Sequence, residues 1–221
     1  MFDRVISLVG EDKFKKIKEI SVLVVGLGGV GGYAVESLIR SGIHNIILMD
    51  YDKIDKTNLN RQIVTDTSNI GKLKTEEFKK RIASINPECK VTLLNIFLDI
   101  NNINMLDEYK IDYIVDACDT GAAKKLLIDY ATEKNIKIIS CMGTAKKLDP
   151  SKLKITDIRN TSYDPLAKII RKYVKEKHIN KKIMVVSSDE RPQENKDLAS
   201  LIFVPAVAGM MCANYIINDI K

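Results

Sequence analysis

The sequence predicts an α/β fold: a doubly wound, mainly parallel sheet with helices on both faces and an antiparallel C-terminal extension. Two observations predict it. Short apolar runs alternate with amphipathic helical patterns as far as Met142, and the first of these runs leads directly into a glycine cluster. The alternation implies that each pair of consecutive strands is joined by a helix, which requires parallel strands covered on both sides.

The elements follow from these patterns in chain order. Strands are predicted at Ser21–Val25, Asn45–Met49, Lys90–Leu94, Asp112–Asp116 and Lys137–Cys141. Helices are predicted between them, at Val30–Ser41, Lys74–Ile85, Ile103–Glu108 and Gly121–Asn135.

The rhythm changes after Met142. The segment "KKLDPSKLKITDI" has the loose alternation of an edge or antiparallel strand, and "KKIMVVSS" predicts a further strand. Between them, Asp164 and Pro165 form the expected cap and first position of a basic amphipathic helix. A polar loop, "DERPQENKD", follows. We interpret residues 1–221 as a single domain, in which a nucleotide-binding half (1–142) precedes a basic half (143–221) that completes the sheet.

The uncharged stretch from Leu198 to Ile217 is about as long as a membrane-spanning helix. Pro205 and Gly209 interrupt it, which argues against a single span. We therefore expect a short strand at Leu201–Val204, then a helix at Ala206–Asp219 that is buried in the core or at a subunit interface, and no association with membranes.

The charge of the chain is unevenly distributed. The net charge is +6, and the window from Lys146 to Lys182 holds 12 Lys or Arg against 4 Asp or Glu, so the basic excess lies in this window. Such a cluster fits a surface for a polyanion such as RNA, and equally an ordinary solvated lysine-rich surface. The four cysteines are far apart and form no C-x-x-C pair, which disfavours a zinc site or a disulfide framework and favours a cytoplasmic location.

The glycine cluster has the context of a phosphate-binding loop. Gly26, Gly28 and Gly31 spell G-x-G-x-x-G between a strand and a helix, as in Rossmann-like folds, where backbone N–H groups at the helix start face phosphate oxygens. Asp50 ends the next strand and is placed to bind ribose hydroxyls. To this point the pattern fits an NAD-dependent dehydrogenase as well as other nucleotide-binding proteins.

The residues that follow favour ATP over NAD. The segment "DKTNLNRQ" concentrates polar side chains, including Asn58 and Arg61, and "NIGKLK" adds Lys74 at a predicted helix start. Arginine and lysine bind phosphate oxygens, whereas a neutral nicotinamide needs no such cluster. Asp116 and Asp119 lie at the end of a central strand, where an acid near phosphates is a natural Mg²⁺ ligand. The predicted cofactors are therefore ATP and Mg²⁺.

Several segments resemble the ubiquitin-activating-enzyme-like superfamily, which includes the adenylating enzymes of molybdopterin and thiamine sulfur carriers. They are "FDRVISLVG", "GLGGVGG", "MDYDKIDKTNLNRQ", "GKLK" and "DACDT". One branch, the tRNA threonylcarbamoyladenosine dehydratases, is more similar still. Its likeness rests on residues 139–172 and on "VVSSDERPQ" and "FVPAVAGMMCANYII".

The resemblance implies an adenylate-forming enzyme that cyclises threonylcarbamoyladenosine in tRNA at the expense of ATP. It implies the catalytic residues Arg61, Lys74, Asp119 and, from the other subunit, Arg4. The implied nucleotide-binding residues are Gly26, Gly28, Gly29, Gly31, Asp50, Asp52, Asn58, Arg61, Lys74 and Asp119, with Asp119 as the Mg²⁺ ligand. Lys72 is a neighbouring candidate, but the family's G-x-x-K spacing selects Lys74.

The resemblance also implies partners: tRNA, ATP, a second copy of the chain in a homodimer, and a possible sulfur-transfer protein. Two other functions stay open. One is adenylation of the C-terminal glycine of a ubiquitin-like sulfur carrier, and the other is a non-catalytic nucleotide-binding module. A thioester-forming role for Cys118 or Cys141 is the less favoured interpretation, since free cysteines are commonly small buried apolar residues.

Overall fold

The computed structural model describes residues 1–194 and 199–221. Its centre is a seven-stranded sheet in the order β3-β2-β1-β4-β5-β7-β6. The strands are β1 Ser21–Val25, β2 Asn45–Met49, β3 Lys90–Leu94, β4 Tyr113–Asp116, β5 Lys137–Cys141, β6 Leu153–Asp157 and β7 Met184–Ser188. The first five strands and β7 run parallel, whereas β6 pairs antiparallel with β7 at one edge. The predicted fold class, including the antiparallel C-terminal extension, is confirmed.

Seven α-helices accompany the sheet in the described part of the chain. They are α1 Asp3–Val9, α2 Glu11–Glu19, α3 Gly31–Arg40, α4 Lys74–Ile85, α5 Gly121–Glu133, α6 Pro165–Glu176 and α7 Phe203–Asp219. The segment Ile103–Glu108, predicted as a helix, forms a 3-10 helix. Asp164 caps α6 as predicted, because its carboxylate accepts a hydrogen bond from the Ala167 N–H at 2.9 Å.

The sheet separates two apolar layers. On β1, Val22 and Val24 belong to the layer that contains α3, α4 and α7, whereas Leu23 and Val25 belong to the layer that contains α5 and α6. All four side chains are buried, which explains why β1 is a continuous apolar run instead of an alternating one. Helices therefore cover both faces of the parallel sheet, which leaves the ends of the strands for a ligand site.

The predicted strand at Leu201–Val204 is wrong. Residues 199–202 form neither strand nor helix, and α7 begins at Phe203, two residues before Pro205. A proline in the first helical turn costs no hydrogen bond, since the N–H groups there have no partner within the helix. The helix can therefore start before the proline as well as after it.

Helix α7 packs closely on α3 in the interior. A Cβ atom at Gly209 would lie 2.1 Å from the carbonyl oxygen of Val30, so this contact requires glycine. Among the helices of residues 1–194 and 199–221, none is long and apolar enough to cross a membrane.

The C-terminal half continues the sheet of the first half, because β7 pairs with β5. The interpretation of residues 1–221 as one domain stays a prediction. Of the predicted polar loop "DERPQENKD", residues 189–194 form neither helix nor strand, and residues 195–197 lie outside the described residues.

Candidate active site

A large cavity opens at the carboxyl ends of β1, β2, β4 and β5. Its volume is about 1080 Å³, and its lining includes residues of the loops that follow these four strands, all of residues 56–62 except Leu59, and Leu166 of α6. Ligands of open α/β sheets bind at this edge. A cavity of this size takes a nucleotide with room for a second group.

The four glycines of the loop have two different roles. Gly28 and Gly29 line the cavity. Gly26 has φ +87°, and a Cβ atom there would lie 2.7 Å from the Ala117 carbonyl oxygen, while a Cβ at Gly31 would lie 1.8 Å from the Gly26 oxygen. Gly26 and Gly31 thus let the loop pack on the end of β4 instead of facing the ligand space.

Lys74 lies buried between two carboxylates at the end of β2. Its Nζ is 2.7 Å from Asp52 Oδ2 and 3.8 Å from Asp50 Oδ2, and only 6% of its side chain is exposed. Asp50 also accepts hydrogen bonds from the N–H groups of Leu27 (2.6 Å) and Asp52 (2.8 Å), which fixes the glycine loop to β2. Burial raises the pKa of Asp50 above its usual value, although Lys74 opposes the shift.

Arg61 presents its guanidinium group to the cavity without an ion pair to the groups that hold it. Its Nη1 donates to the Thr57 carbonyl oxygen and to Asn60 Oδ1, both at 2.9 Å, and both acceptors are neutral. The nearby Asn58 accepts from the Asp55 N–H at 3.0 Å and closes a capping box on a short 3-10 helix. The local fold therefore holds the Arg61 charge ready for an anion.

Two aspartates lie at the end of β4 and just beyond it, in different environments. Asp119 is exposed on the cavity wall. Asp116 is fully buried and receives Nζ of the equally buried Lys124 at 3.0 Å and the hydroxyl of Ser140. Lys124 also donates to the Cys141 carbonyl oxygen at 2.7 Å. Burial alone would lower the pKa of Lys124, but the groups around its ammonium, Asp116 first among them, together raise that pKa above its usual value.

Sequence reasoning missed Lys124 and Ser140. A signal for Lys124 exists, because it occupies the same stripe of α5 as Leu127, Ile128 and Ala131, which are all buried. A lysine on the apolar stripe of a helix predicts a buried charge with a partner. Ser140 carries no comparable signal, since a serine within an apolar strand is ordinary.

The thiol of Cys118, at the cavity, is not activated as a nucleophile. Cys118 Sγ donates to Asp116 Oδ1 at 2.8 Å, and burial, together with the negative charge of Asp116, raises the pKa of this thiol well above its usual value. Cys141 is buried, and its thiol donates to the Met142 carbonyl oxygen at 3.4 Å. The environment of Cys118 therefore favours the neutral thiol over the thiolate.

The far wall of the cavity belongs to the basic half. Gly143, Thr144 and Ala145 line it together with Leu166 of α6. A buried ion pair joins these two segments, with Lys147 Nζ at 3.4 Å from Asp164 Oδ2 and both side chains 1% exposed. The pair fixes the start of α6 to the loop after β5.

The structure thus brings together Gly28, Gly29, Asp50, Asp52, Asn58, Arg61, Lys74 and Asp119 at one cavity. Arg4 lies on α1, exposed and outside the cavity of its own chain. Its contribution to the site of a second subunit stays a prediction.

A glycine loop, an acid at the end of the second strand and cations at the carboxyl edge define a nucleotide-binding α/β protein. Within that class, the model of the ThiF family matches residues 2–218. The chain belongs to the ThiF family.

Individual relatives agree with this assignment. The chain is 36% identical over 231 aligned residues to a tRNA threonylcarbamoyladenosine dehydratase of Bacillus subtilis, covering 96% of this chain and 91% of the relative. A second relative, dehydratase 2 of Saccharomyces cerevisiae, is 35% identical over 90% of this chain, which spans only 45% of that protein. The crystal structure of Escherichia coli tRNA N6-threonylcarbamoyladenosine dehydratase in complex with ATP superposes with a TM-score of 0.94 at 31% identity, covering 99% and 93% of the two chains.

Proposed function

We propose that this chain is an ATP-dependent tRNA-modifying enzyme that dehydrates N6-threonylcarbamoyladenosine by cyclising its side chain. The observation that carries the proposal is the 36% identity to the B. subtilis dehydratase along 96% of this chain and 91% of that protein. The cavity supports it, because it joins a phosphate-binding loop to a wall formed by the basic half.

The reaction proceeds in two steps. A carboxylate oxygen of the threonylcarbamoyl group attacks the α-phosphorus of ATP, which forms an acyl-adenylate and releases pyrophosphate. The ureido group of the same side chain then attacks the activated carbonyl carbon, loses a proton and expels AMP. One carboxylate oxygen leaves with AMP, so the nucleoside loses one water in total. The second step is intramolecular, which removes most of the entropic cost of bringing the reactants together.

The residues at the cavity suit the first step. Gly28 and Gly29 would allow the backbone to approach the phosphates, and Asp50, which lines the same cavity, would bind the ribose. Arg61 and Lys74 supply positive charge where the pentavalent phosphorus and the leaving pyrophosphate develop negative charge. Lys74 is held by Asp50 and Asp52 before the ligand arrives, so it needs no reorganisation on binding.

Mg²⁺ fits at Asp119. Within the residues that the structure describes, no group of three or more His, Cys, Asp or Glu side chains is placed to hold a metal ion by itself. Mg²⁺ is commonly held by one or two carboxylates together with substrate phosphates and water, and the exposed carboxylate of Asp119 on the cavity wall meets this need. The ion would neutralise phosphate charge there.

The active form in this proposal is a cytoplasmic homodimer in which Arg4 of each chain reaches the other's nucleotide. Exposed apolar side chains on α7, Phe203 (58%) and Met210 (46%), support an interface between copies. All four cysteines are free, as is common in a reducing compartment. Binding of a sulfur-transfer protein stays a prediction.

The test uses tRNA that carries N6-threonylcarbamoyladenosine, with ATP and Mg²⁺. We expect equal amounts of AMP and pyrophosphate, and a nucleoside that is lighter by one water in mass spectrometry. The matched control is tRNA without the threonylcarbamoyl group, which should release no pyrophosphate. Release of pyrophosphate with a ubiquitin-like sulfur carrier, and none with modified tRNA, would instead establish the alternative function.

A further inference from the structure

An exposed aromatic ring lies three residues before Leu166 of the cavity wall and takes no part in the reaction proposed above. Tyr163 is 52% exposed, and the guanidinium carbon of Arg191 lies 4.8 Å from the centre of its ring. The guanidinium group of Arg191 thus lies over the Tyr163 ring. An aromatic ring backed by arginine is a surface on which a planar group stacks well.

Tyr163 has a strained backbone conformation and an exposed side chain. Its φ is +54°, in the left-handed region that residues other than glycine, asparagine and aspartate adopt rarely. The next residue, Asp164, is buried and caps α6, while Tyr163 itself points to solvent. Such strain persists only where the surroundings hold it, and it is typical of binding sites.

The sequence neighbours of Tyr163 and Arg191, which are Asp164 and Glu190, are both fixed to one loop, residues 146–149. On the tyrosine side, Asp164 pairs with Lys147 at 3.4 Å. On the arginine side, the Glu190 carboxylate accepts hydrogen bonds from the N–H groups of Leu148 and Asp149, each at 2.9 Å. The backbone beside Tyr163 and beside Arg191 is therefore anchored before any ligand binds, which reduces the entropic cost of binding.

The same loop continues directly into the cavity wall. Gly143 lines the cavity, and a Cβ atom there would lie 3.0 Å from Asp164 Oδ2. Tyr163 therefore directly precedes Asp164, the residue whose side chain packs against Gly143 in the cavity wall. After Tyr163 in the chain, α6 exposes three lysines at the helical spacing i, i+4, i+7, which are Lys168, Lys172 and Lys175.

We infer that Tyr163 and Arg191 form a stacking platform for an unpaired nucleobase next to the modified adenosine in the RNA loop. The inference rests on the proposed function. RNA loops are recognised by stacking splayed bases on aromatic rings and guanidinium planes, while lysines neutralise the phosphates. The platform would hold the neighbouring nucleotide so that the modified base enters the cavity.

The test measures binding of a short RNA hairpin that carries N6-threonylcarbamoyladenosine in its loop. Tyr163→Asn removes the ring and keeps a residue that tolerates the left-handed backbone. We expect it to weaken hairpin binding between roughly fivefold and a hundredfold, the range typical of lost base stacking. Tyr163→Phe should bind within about twofold of the wild type, and Arg191→Lys, which keeps the charge and loses the plane, should bind more weakly.

Hairpins with one abasic position on either side of the modified adenosine identify the stacked base. The wild type should bind one of these abasic hairpins more weakly than the intact hairpin. Tyr163→Asn should bind that abasic hairpin and the intact hairpin equally well. ATP affinity and the melting temperature of Tyr163→Asn should match the wild type. Unchanged hairpin binding by Tyr163→Asn, or a twofold or smaller effect of both abasic positions, overturns the platform.

The two proposals fail separately. If the wild type binds the hairpin and does not dehydrate it, the proposed function is wrong, while the binding comparison still decides the platform. If the wild type dehydrates the hairpin and Tyr163→Asn binds and dehydrates it equally well, the platform is wrong and the proposed function stands.

Discussion

Lys124 and Asp116 form a fully buried ion pair beneath the cavity, with Nζ 3.0 Å from Oδ1 and neither side chain exposed. The pair joins α5 to the end of β4, and the donation from Lys124 to the Cys141 carbonyl oxygen extends it to β5. One side chain thus ties α5 to the ends of two neighbouring strands that form the cavity.

Removing Lys124 is expected to destabilise the fold strongly. Lys124→Met leaves the Asp116 carboxylate buried without its cation, and breaking a buried pair in this way costs about 3–5 kcal/mol. Urea denaturation at pH 7 measures the free energy of unfolding. The matched control is Lys134→Met, which breaks the surface pair with Asp107 (2.8 Å, side chains 36% and 45% exposed) and should cost at most about 1 kcal/mol. Equal losses in both variants would contradict this interpretation.

Lys74 is expected to act in the chemical step and Lys72 not to. Lys74→Met removes a cation held beside Asp50 and Asp52, and we expect the rate of adenylation to fall about a hundredfold or more, as for other electrostatic stabilisers. Lys72→Met alters an exposed side chain two residues away and should stay within about twofold of the wild type. Pyrophosphate release with modified tRNA measures both, and a reversed order would move the site to Lys72.

Arg61 is expected to be irreplaceable by lysine. Its guanidinium group is oriented by the Thr57 carbonyl oxygen and Asn60 Oδ1, which leaves further N–H groups for a phosphate. Lysine keeps the charge but cannot form this fork, so Arg61→Lys and Arg61→Ala should both lose about a hundredfold in rate. Arg40→Lys, at an arginine paired with Glu36 on α3, is the control and should keep wild-type activity. Full rescue by Arg61→Lys would show that only the charge matters.

Most of the sheet was predictable because its information is local. Four of the first five strands begin and end where the apolar runs begin and end, since parallel strands covered on both faces require such runs. The cations at the cavity were predictable because residues that follow neighbouring parallel strands meet at one edge of the sheet.

What escaped prediction depends on contacts between distant segments. Ser140 binds Asp116 from a neighbouring strand, and Tyr163 meets Arg191 across 28 positions of the sequence. The division of the glycines into two that line the cavity and two that pack the loop depends on how closely Ala117 approaches Gly26. No local pattern encodes such distances.

Glu36 is expected to make the free energy of unfolding depend on pH in the acid range. Burial tends to raise its pKa, but the hydrogen bonds and the positive charges of Arg81 and Arg40 together outweigh burial and hold the pKa below its usual value of 4.5. A carboxylate with a lowered pKa in the folded state stabilises the fold above its unfolded pKa, and this contribution is lost as the pH falls through the folded pKa. Glu36→Gln should therefore be less stable than the wild type by roughly 1–3 kcal/mol at pH 7. The difference should shrink below pH 4.5. Urea denaturation at several pH values measures it, and a constant difference would contradict the assignment.

Cys118 is expected to be dispensable. Its thiol donates to Asp116 and burial raises its pKa, so the thiolate needed for attack on an adenylate is disfavoured. The ureido group of the substrate supplies the nucleophile instead, and it is already tethered to the activated carbonyl. Cys118→Ala should keep adenylation and ring closure within about twofold of the wild type, because alanine keeps a small apolar side chain on the cavity wall. Product formation by mass spectrometry and a search for a thiol-sensitive adduct on the wild-type protein check both points. If the wild type carries a covalent adduct on Cys118, and Cys118→Ala loses both the adduct and ring closure, the reaction passes through a thioester and direct cyclisation is wrong.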